Sequence, residues 1–293
     1  MSVKRRFKQV DVFTAQPLLG NPLAVVIDAH GLSDAQMQAF ARWTNLSETT
    51  FVLPPLDASA DYRVRIFTPD TEFPFAGHPT LGTAHALLES GWLPKTPGVL
   101  IQECGVGLVP VRLLAQGGLA FRAPPAEIAP LATARVAALD ATLLEGSRDA
   151  DTPAYLVNMG IRWLVVRMRS AEDCLRARLD INALAALQVQ AGVDGIALYG
   201  PYPSGEEIDY EVRALLVEQS QLIEDPVTGS ANACLARVLA LQNFPDGGQT
   251  AEQYLVRQGT QRQRDGRVRV TYLQGEPWIG GESCTLIDGE ITL

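Results

Sequence analysis

One stretch of this chain is written twice. Phe73-Pro-Phe-Ala-Gly-His-Pro-Thr-Leu-Gly-Thr-Ala-His-Ala-Leu-Leu-Glu89 returns as Asp225-Pro-Val-Thr-Gly-Ser-Ala-Asn-Ala-Cys-Leu-Ala-Arg-Val-Leu-Ala240, with Gly229 aligned on Gly77, Ser230 on His78 and Leu239 on Leu87. In both copies a glycine-containing turn runs into small and apolar residues on nearly every side of the projected helix, a composition that only a helix buried all round tolerates. Each half of the chain is therefore expected to wrap around one central helix. The first amides of such a helix lack intrahelical partners and the macrodipole adds partial positive charge, so a Gly-opened, buried N-terminus can cradle a carboxylate or phosphate. Two of them facing one cleft would favour a small anionic ligand. Two core helices with glycine at a tight entry account for the repeat as well, because fold symmetry does not prove a site.

The surrounding pattern fits two similar α+β lobes. Phe7 to Phe13 alternates like a half-buried strand, and Gly20-Asn21-Pro22 turns it into Leu23 to Ile27. Ser33 can cap an amphipathic helix carrying Met37, Phe40, Ala41 and Trp43 and ending near Asn45. Strands follow at Thr49 to Leu53 and Tyr62 to Phe67, before the first buried helix. Val99 to Leu114 again reads as strand. Beyond it, Leu131 to Leu144 and Ile181 to Gln190 have helical spacing, while Tyr155 to Met168, Val193 to Tyr199 and Tyr210 to Val217 read as strands. Tyr254 to Leu293 is strands and turns. The composition shift around Ala115 to Pro125 marks the candidate boundary between halves. The expected fold class is α+β, with two pseudo-symmetric lobes, each a mostly antiparallel, barrel-like sheet around a central helix.

Composition removes several classes of function. A formal charge of −9 over 293 residues argues against a nucleic-acid partner. The basic cluster Lys4-Arg-Arg-Phe-Lys8 is not followed by the apolar segment of a signal peptide, and no run approaches the roughly 18 apolar residues of a membrane span, so a cytoplasmic protein is expected. Cys104, Cys174, Cys234 and Cys284 lie far apart, without Cys-x-x-Cys or a nearby histidine at metal-ligand spacing, and are expected to be reduced thiols. No Gly-x-Ser-x-Gly elbow, Walker loop or dinucleotide fingerprint is present. No metal or cofactor is expected, and acid/base chemistry remains.

Four residues can carry it. Glu48 lies in Asn45-Leu-Ser-Glu-Thr-Thr-Phe51, between a helix end and an apolar strand; Asn45, Ser47, Thr49 and Thr50 are small hydrogen-bonders without countercharge, a setting in which a carboxylate drawn into a cleft would have a raised pKa. A general acid or base working near neutral pH needs that shift, although an ordinary solvated glutamate fits the position too. His78 falls in the first turn of a helix, where the dipole disfavours imidazolium and a neutral ring is expected to steer a substrate; a capping or core histidine is the alternative. Asp225 precedes Pro226, a common turn starter. Ser230 is either an N-terminal cap or a donor to a carboxylate.

Several motifs, in order along essentially the whole chain, resemble the phenazine-biosynthesis isomerase (PhzF-like) family: Val10-Asp-Val-Phe-Thr-Ala-Gln-Pro-Leu-Leu-Gly-Asn-Pro-Leu-Ala-Val-Val26, Asn45-Leu-Ser-Glu-Thr-Thr-Phe51, Arg65-Ile-Phe-Thr-Pro69, Phe75-Ala-Gly-His-Pro-Thr-Leu-Gly82, Glu224-Asp-Pro-Val-Thr-Gly-Ser-Ala231, Gln258-Gly259 with Arg264, and Gly280-Gly281. The resemblance implies the two-lobed diaminopimelate epimerase-like fold, with a first lobe of residues 1–118 plus 279–293 and a second of 119–278. It implies a cofactor-independent isomerase that moves a proton between carbons of trans-2,3-dihydro-3-hydroxyanthranilate or another small carboxylate-bearing substrate, and a homodimer. By the resemblance Glu48 is the general acid/base, His78 and Asp225 orient the amine and hydroxyl side, and Ser230 with Gly229 holds the carboxylate. Asn45, Ser47 and Gly77 complete the expected substrate contacts. The epimerase's two catalytic cysteines have no counterpart, since Ala76 and Asp225 stand near those places. Gln263 occupies a position before Arg264 where glycine is usual. An amino-acid racemase on the same scaffold, or a binding protein without turnover, are the competing readings.

Overall fold

The computed structural model describes residues 3–293. The chain runs β1 (Lys4–Val12), β2 (Asn21–Val26), α1 (Asp34–Thr44), β3 (Glu48–Leu53), β4 (Tyr62–Phe67), β5 (Glu72–Phe73), α2 (Gly77–Glu89), β6 (Val99–Cys104), β7 (Gly107–Leu113) and β8 (Leu119–Arg122). It continues through β9 (Glu127–Pro130), α3 (Thr133–Thr142), β10 (Leu143–Glu145), β11 (Tyr155–Asn158), β12 (Arg162–Arg167), α4 (Ala171–Arg176), β13 (Arg178–Leu179), α5 (Ile181–Ala191), β14 (Gly195–Pro201), β15 (Tyr210–Glu218) and β16 (Gln221–Asp225). It closes with α6 (Gly229–Leu241), β17 (Gln253–Gln258), β18 (Gly266–Leu273), β19 (Glu276–Gly281) and β20 (Ser283–Thr292). These elements form two compact units, residues 1–122 with 279–293, and residues 123–278. The first unit runs to Arg122 because β8 pairs antiparallel with β7, Val111 facing Phe121.

The expected α+β architecture is present in each unit, and the pairing repeats. In the first, β1–β2 is antiparallel, β2–β3 parallel across α1, β3–β4 antiparallel, and β4–β6 parallel across α2, followed by the antiparallel β6–β7. In the second, β11–β12 is antiparallel, β12–β14 parallel across α4 and α5, β14–β15 antiparallel, and β15–β17 parallel across α6, followed by the antiparallel β17–β18. Parallel neighbours need a crossover element, and in both units the second crossover is the buried helix. The closing strand β20 lies along β1, with Ser283 opposite Val12.

Both central helices have 13 residues, and all of the first turn and a half of each is buried. Burying Thr80 and Thr83 of α2 requires partners. Thr83 Oγ1 donates to Thr50 Oγ1 at 2.8 Å, and Gln102 Nε2 on β6 donates to Thr80 Oγ1 at 2.9 Å while its Oε1 accepts from Tyr62 at 3.1 Å. Outside these helices, Ser33 forms the capping box of α1 with Gln36, and Met37, Phe40 and Ala41 face a core of Phe51, Phe67 and Val26. Trp43, on the expected apolar face, is instead 80% exposed and stacks on Phe40. The Pro-rich segment after Phe121 contains the strand β9, which its proline content obscured; β9 pairs with β11, with Pro130 at its end.

Candidate active site

Each unit presents the N-terminus of its central helix, and the residues singled out in the sequence collect around these two helix starts. In the first unit, α1 ends at Asn45, which adopts the left-handed conformation (φ 55°, ψ 32°) and donates its N–H to Ala41 O. That cap turns the chain through Leu46 and Ser47 into β3, whose first residue is Glu48. Asn45 and Ser47 are exposed on this turn. Glu48 sits opposite Leu23 of β2 in the parallel register, and its side chain is 13% exposed. The hydroxyl of the buried Thr49, next in the strand, lies 3.0 Å from that of Thr44 and ties β3 to the end of α1.

His78 is the second residue of α2, and its side chain is 4% exposed. Its Nε2 lies 3.4 Å from Glu48 Oε2, and its Nδ1 lies 3.4 Å from Nδ2 of the fully buried Asn21. Burial pushes the His78 pKa down to about 3, so the ring is neutral and the approach to Glu48 is not an ion pair. With Asn21 Nδ2 donating to Nδ1, the ring proton is on Nε2, the nitrogen nearer the Glu48 carboxylate, an assignment that follows from the network. At 3.4 Å this contact is longer than a strong hydrogen bond. The N-cap of α2 is Ala76, which has no side chain to cap the helix.

In the second unit the N-cap of α6 is Thr228, so it is Thr228 that corresponds to Ala76, and Asp225 stands three residues earlier at the end of β16. Asp225 Oδ2 accepts from Thr228 Oγ1 at 2.5 Å. Although threonine is a good capping residue, no side chain caps α6. Gln258, the last residue of β17, explains this: its Nε2 donates to Thr228 Oγ1 at 2.9 Å and to Asp225 O at 3.1 Å, and its Oε1 accepts from Thr228 N and from Asn232 Nδ2, both at 3.0 Å. Ser230, the second helical residue, does not cap α6 either. Its Oγ accepts from the indole Nε1 of Trp163 on β12 at 3.0 Å. Gly195 makes room for that indole: a Cβ there would come 2.6 Å from the Trp163 ring.

The structure thus brings Glu48 to His78 and gives Asp225 and Ser230 the partners Thr228 and Trp163. Asn21, Trp163, Thr228 and Gln258 were not among the residues read as functional. Asn21, expected in a turn, is instead the first residue of β2, paired with Val12, and Trp163 lies in a strand as expected; the polar roles of both depend on neighbours 57 and 67 residues away along the chain. Gln263 follows the 3-10 turn Thr260–Arg262 with φ +57°, left-handed backbone that glycine adopts without strain. Of the thiols, Cys174 and Cys234 are buried, and burial raises both far above the usual cysteine range. Among the described residues there is no group of three or more His, Cys, Asp or Glu side chains arranged for a metal ion, and no helix long and apolar enough to cross a membrane.

Comparison with known proteins gives this geometry a family. Residues 10–289 match the phenazine biosynthesis-like protein family, PhzC-PhzF. An uncharacterised isomerase of Mesorhizobium japonicum is 34% identical over 98% of this chain and 98% of its own length. The trans-2,3-dihydro-3-hydroxyanthranilate isomerase of Pseudomonas fluorescens is 35% identical over 83% of this chain and 82% of its own. Among solved structures, a PhzF-family phenazine biosynthesis protein of Bacillus anthracis superposes with a TM-score of 0.83 at 26% identity, covering 99% of both chains. With a match spanning nearly all of its sequence and relatives that are isomerases, the chain belongs to the PhzC-PhzF family of phenazine biosynthesis-like proteins and is an isomerase of that family.

Proposed function

We propose that this isomerase moves a proton from one carbon to another of a small carboxylate-bearing substrate of the trans-2,3-dihydro-3-hydroxyanthranilate type, with Glu48 as the general acid/base. The observation that carries the reading is the Glu48 carboxylate, 13% exposed and 3.4 Å from the Nε2 of a buried histidine whose pKa burial depresses to about 3. A neutral His78 is not a counter-ion to Glu48, and a carboxylate beside an uncharged ring is suited to general acid/base work. In the proposed cycle Glu48 takes a proton from one substrate carbon, the π-electrons shift, and Glu48, whose carboxylic proton exchanges with solvent, delivers a proton to the second carbon. The net charge is unchanged, and no oxidant or reductant is required. His78 and Asp225 orient the amine and hydroxyl groups, and the Gly229–Ser230 amides with the Ser230 hydroxyl hold the carboxylate. Holding one small substrate in register supplies much of the rate in such a shuttle.

The test is NMR of trans-2,3-dihydro-3-hydroxyanthranilate in deuterated water with wild type and with Glu48→Gln. The expected result is conversion by wild type alone, with solvent deuterium at the new C–H position. An active Glu48→Gln variant would sink the mechanism. Absence of conversion would redirect the substrate assignment to deuterium exchange on a panel of small amino and hydroxy acids, where exchange at a single stereocentre would favour a racemase. The same reading includes activity that survives chelators and thiol blockers, a cytoplasmic enzyme, and a homodimer measurable by sedimentation.

A further inference from the structure

We propose that Gln258 is a positioning residue: it keeps the N-terminus of α6 open to an anion by holding the Thr228 hydroxyl on Asp225. The inference rests on the reading of Asp225, Gly229 and Ser230 as substrate-holding groups. Thr228 occupies the N-cap, where a threonine hydroxyl ordinarily turns inward and accepts from the second or third helical amide. Here it makes no such bond. The orientation of the Gln258 amide accounts for this. Its Oε1 faces two N–H donors, Thr228 N and Asn232 Nδ2, and its Nε2 faces a carbonyl, Asp225 O, so the amide cannot be flipped without setting donor against donor and oxygen against oxygen. Nε2 therefore donates to Thr228 Oγ1, which leaves the Thr228 proton to go to Asp225 Oδ2 at 2.5 Å. One glutamine side chain thus fixes the Asp225 backbone, orients its carboxylate through Thr228, and denies the helix its own cap.

The surroundings hold Gln258 in place. Gly259, at φ +96°, passes so close to the Asp225 turn that a Cβ there would lie 2.6 Å from Pro226 O. Thr260, next in sequence, donates to the fully buried Glu211 at 2.8 Å, anchoring the segment to β15.

The experiment compares Gln258→Leu, Thr228→Val and the double variant by steady-state turnover of trans-2,3-dihydro-3-hydroxyanthranilate and by NMR titration with benzoate, read at the Gly229 and Ser230 amides. With Gln258→Leu the Thr228 hydroxyl is released to cap α6 and compete with the ligand. KM and the benzoate Kd should each rise about tenfold, with kcat lowered less than about threefold. Adding Thr228→Val removes the competing hydroxyl, so the double variant should recover to within about threefold of Thr228→Val alone. A merely structural role would make the two losses add. Additive losses, a wild-type Kd in Gln258→Leu, or wild-type Gly229 and Ser230 amides that do not respond to benzoate would each overturn the proposal. Gln258→Met, uncharged and of similar length, removes the amide's hydrogen bonds and carries the same test if the leucine variant does not fold. Should wild type fail to turn over this substrate, the substrate assignment falls, while the benzoate titration still decides the role of Gln258.

Discussion

The two helix starts are built on one plan and equipped differently. In the first unit the parallel β2–β3 register opens with Leu23 facing Glu48; in the second, the parallel β12–β14 register opens with Trp163 facing Gly195. Beside the second helical residue, His78 or Ser230, the first unit places an acid from β3 and the second an indole N–H from β12. Where unit one carries the Glu48 carboxylate, unit two has a glycine whose missing side chain is replaced by the Trp163 ring. The helices themselves differ in the same sense. Pro79, the third residue of α2, has no N–H, whereas Ala231 at that place in α6 retains one. A carboxylate stands beside one helix start, and the other has an extra amide donor, the difference on which the proposed division between proton transfer and anion holding rests. Duplication supplies the scaffold, and single residues at equivalent positions set the roles.

This comparison can be broken most directly at Glu48. Glu48→Gln should lower kcat by about 10²–10⁴, the usual contribution of a general acid/base, with the fold intact by circular dichroism. Next in size is the wall of the second unit. Trp163→Ala leaves a cavity in front of Gly195 and an unpartnered Ser230 hydroxyl, and should cost about 3–5 kcal/mol in denaturant unfolding, with ligand affinity falling more than kcat in the protein that stays folded. The third separates His78 from Ser230 by pH. Its pKa, pushed down by burial to about 3 from an unfolded value of 6.5, means the unfolded chain binds more protons between those values; the contribution is fully present above pH 6.5 and is lost as pH falls toward 3. Unfolding free energy should therefore fall by about 2 kcal/mol more between pH 7 and pH 5 in wild type than in His78→Asn, and equal falls would mean the ring is not buried neutral. The smallest effect concerns the segment after Gln258, where the second unit inserts a 3-10 turn while the first closes Cys104 to Gly107 as a tight hairpin. Gln263→Gly relieves left-handed backbone and should raise stability by up to about 1 kcal/mol, measured as a shift in denaturation midpoint without change in slope.

Much of this was legible along the chain because it follows from local rules. The cap at Ser33, the strand Tyr62–Phe67 and the two buried helices are short-range consequences of periodicity and end signals. Glu48, His78, Asp225 and Ser230 could be singled out because they sit at element ends, where side chains escape the core pattern. What stayed hidden was polar complementarity across the sheet. Asn21 looked like a turn residue and Trp163 like an apolar strand position. Gln258 stood in a motif with no stated role, although all four hydrogen-bonding directions of its amide are used.

By itself, then, the sequence determined the repeat, the two buried helices and their uncharged entries, since composition on every side of a helix leaves it no exposed face. Only the tertiary structure decided the rest: that the His78 ring is neutral and faces Glu48, that Ser230 answers to Trp163 instead of capping its helix, and that the Thr228 hydroxyl is spent on Asp225. Desolvation and hydrogen-bond direction are properties of a three-dimensional environment, set by residues from distant strands, and no local pattern encodes which of several possible partners a buried polar atom will meet.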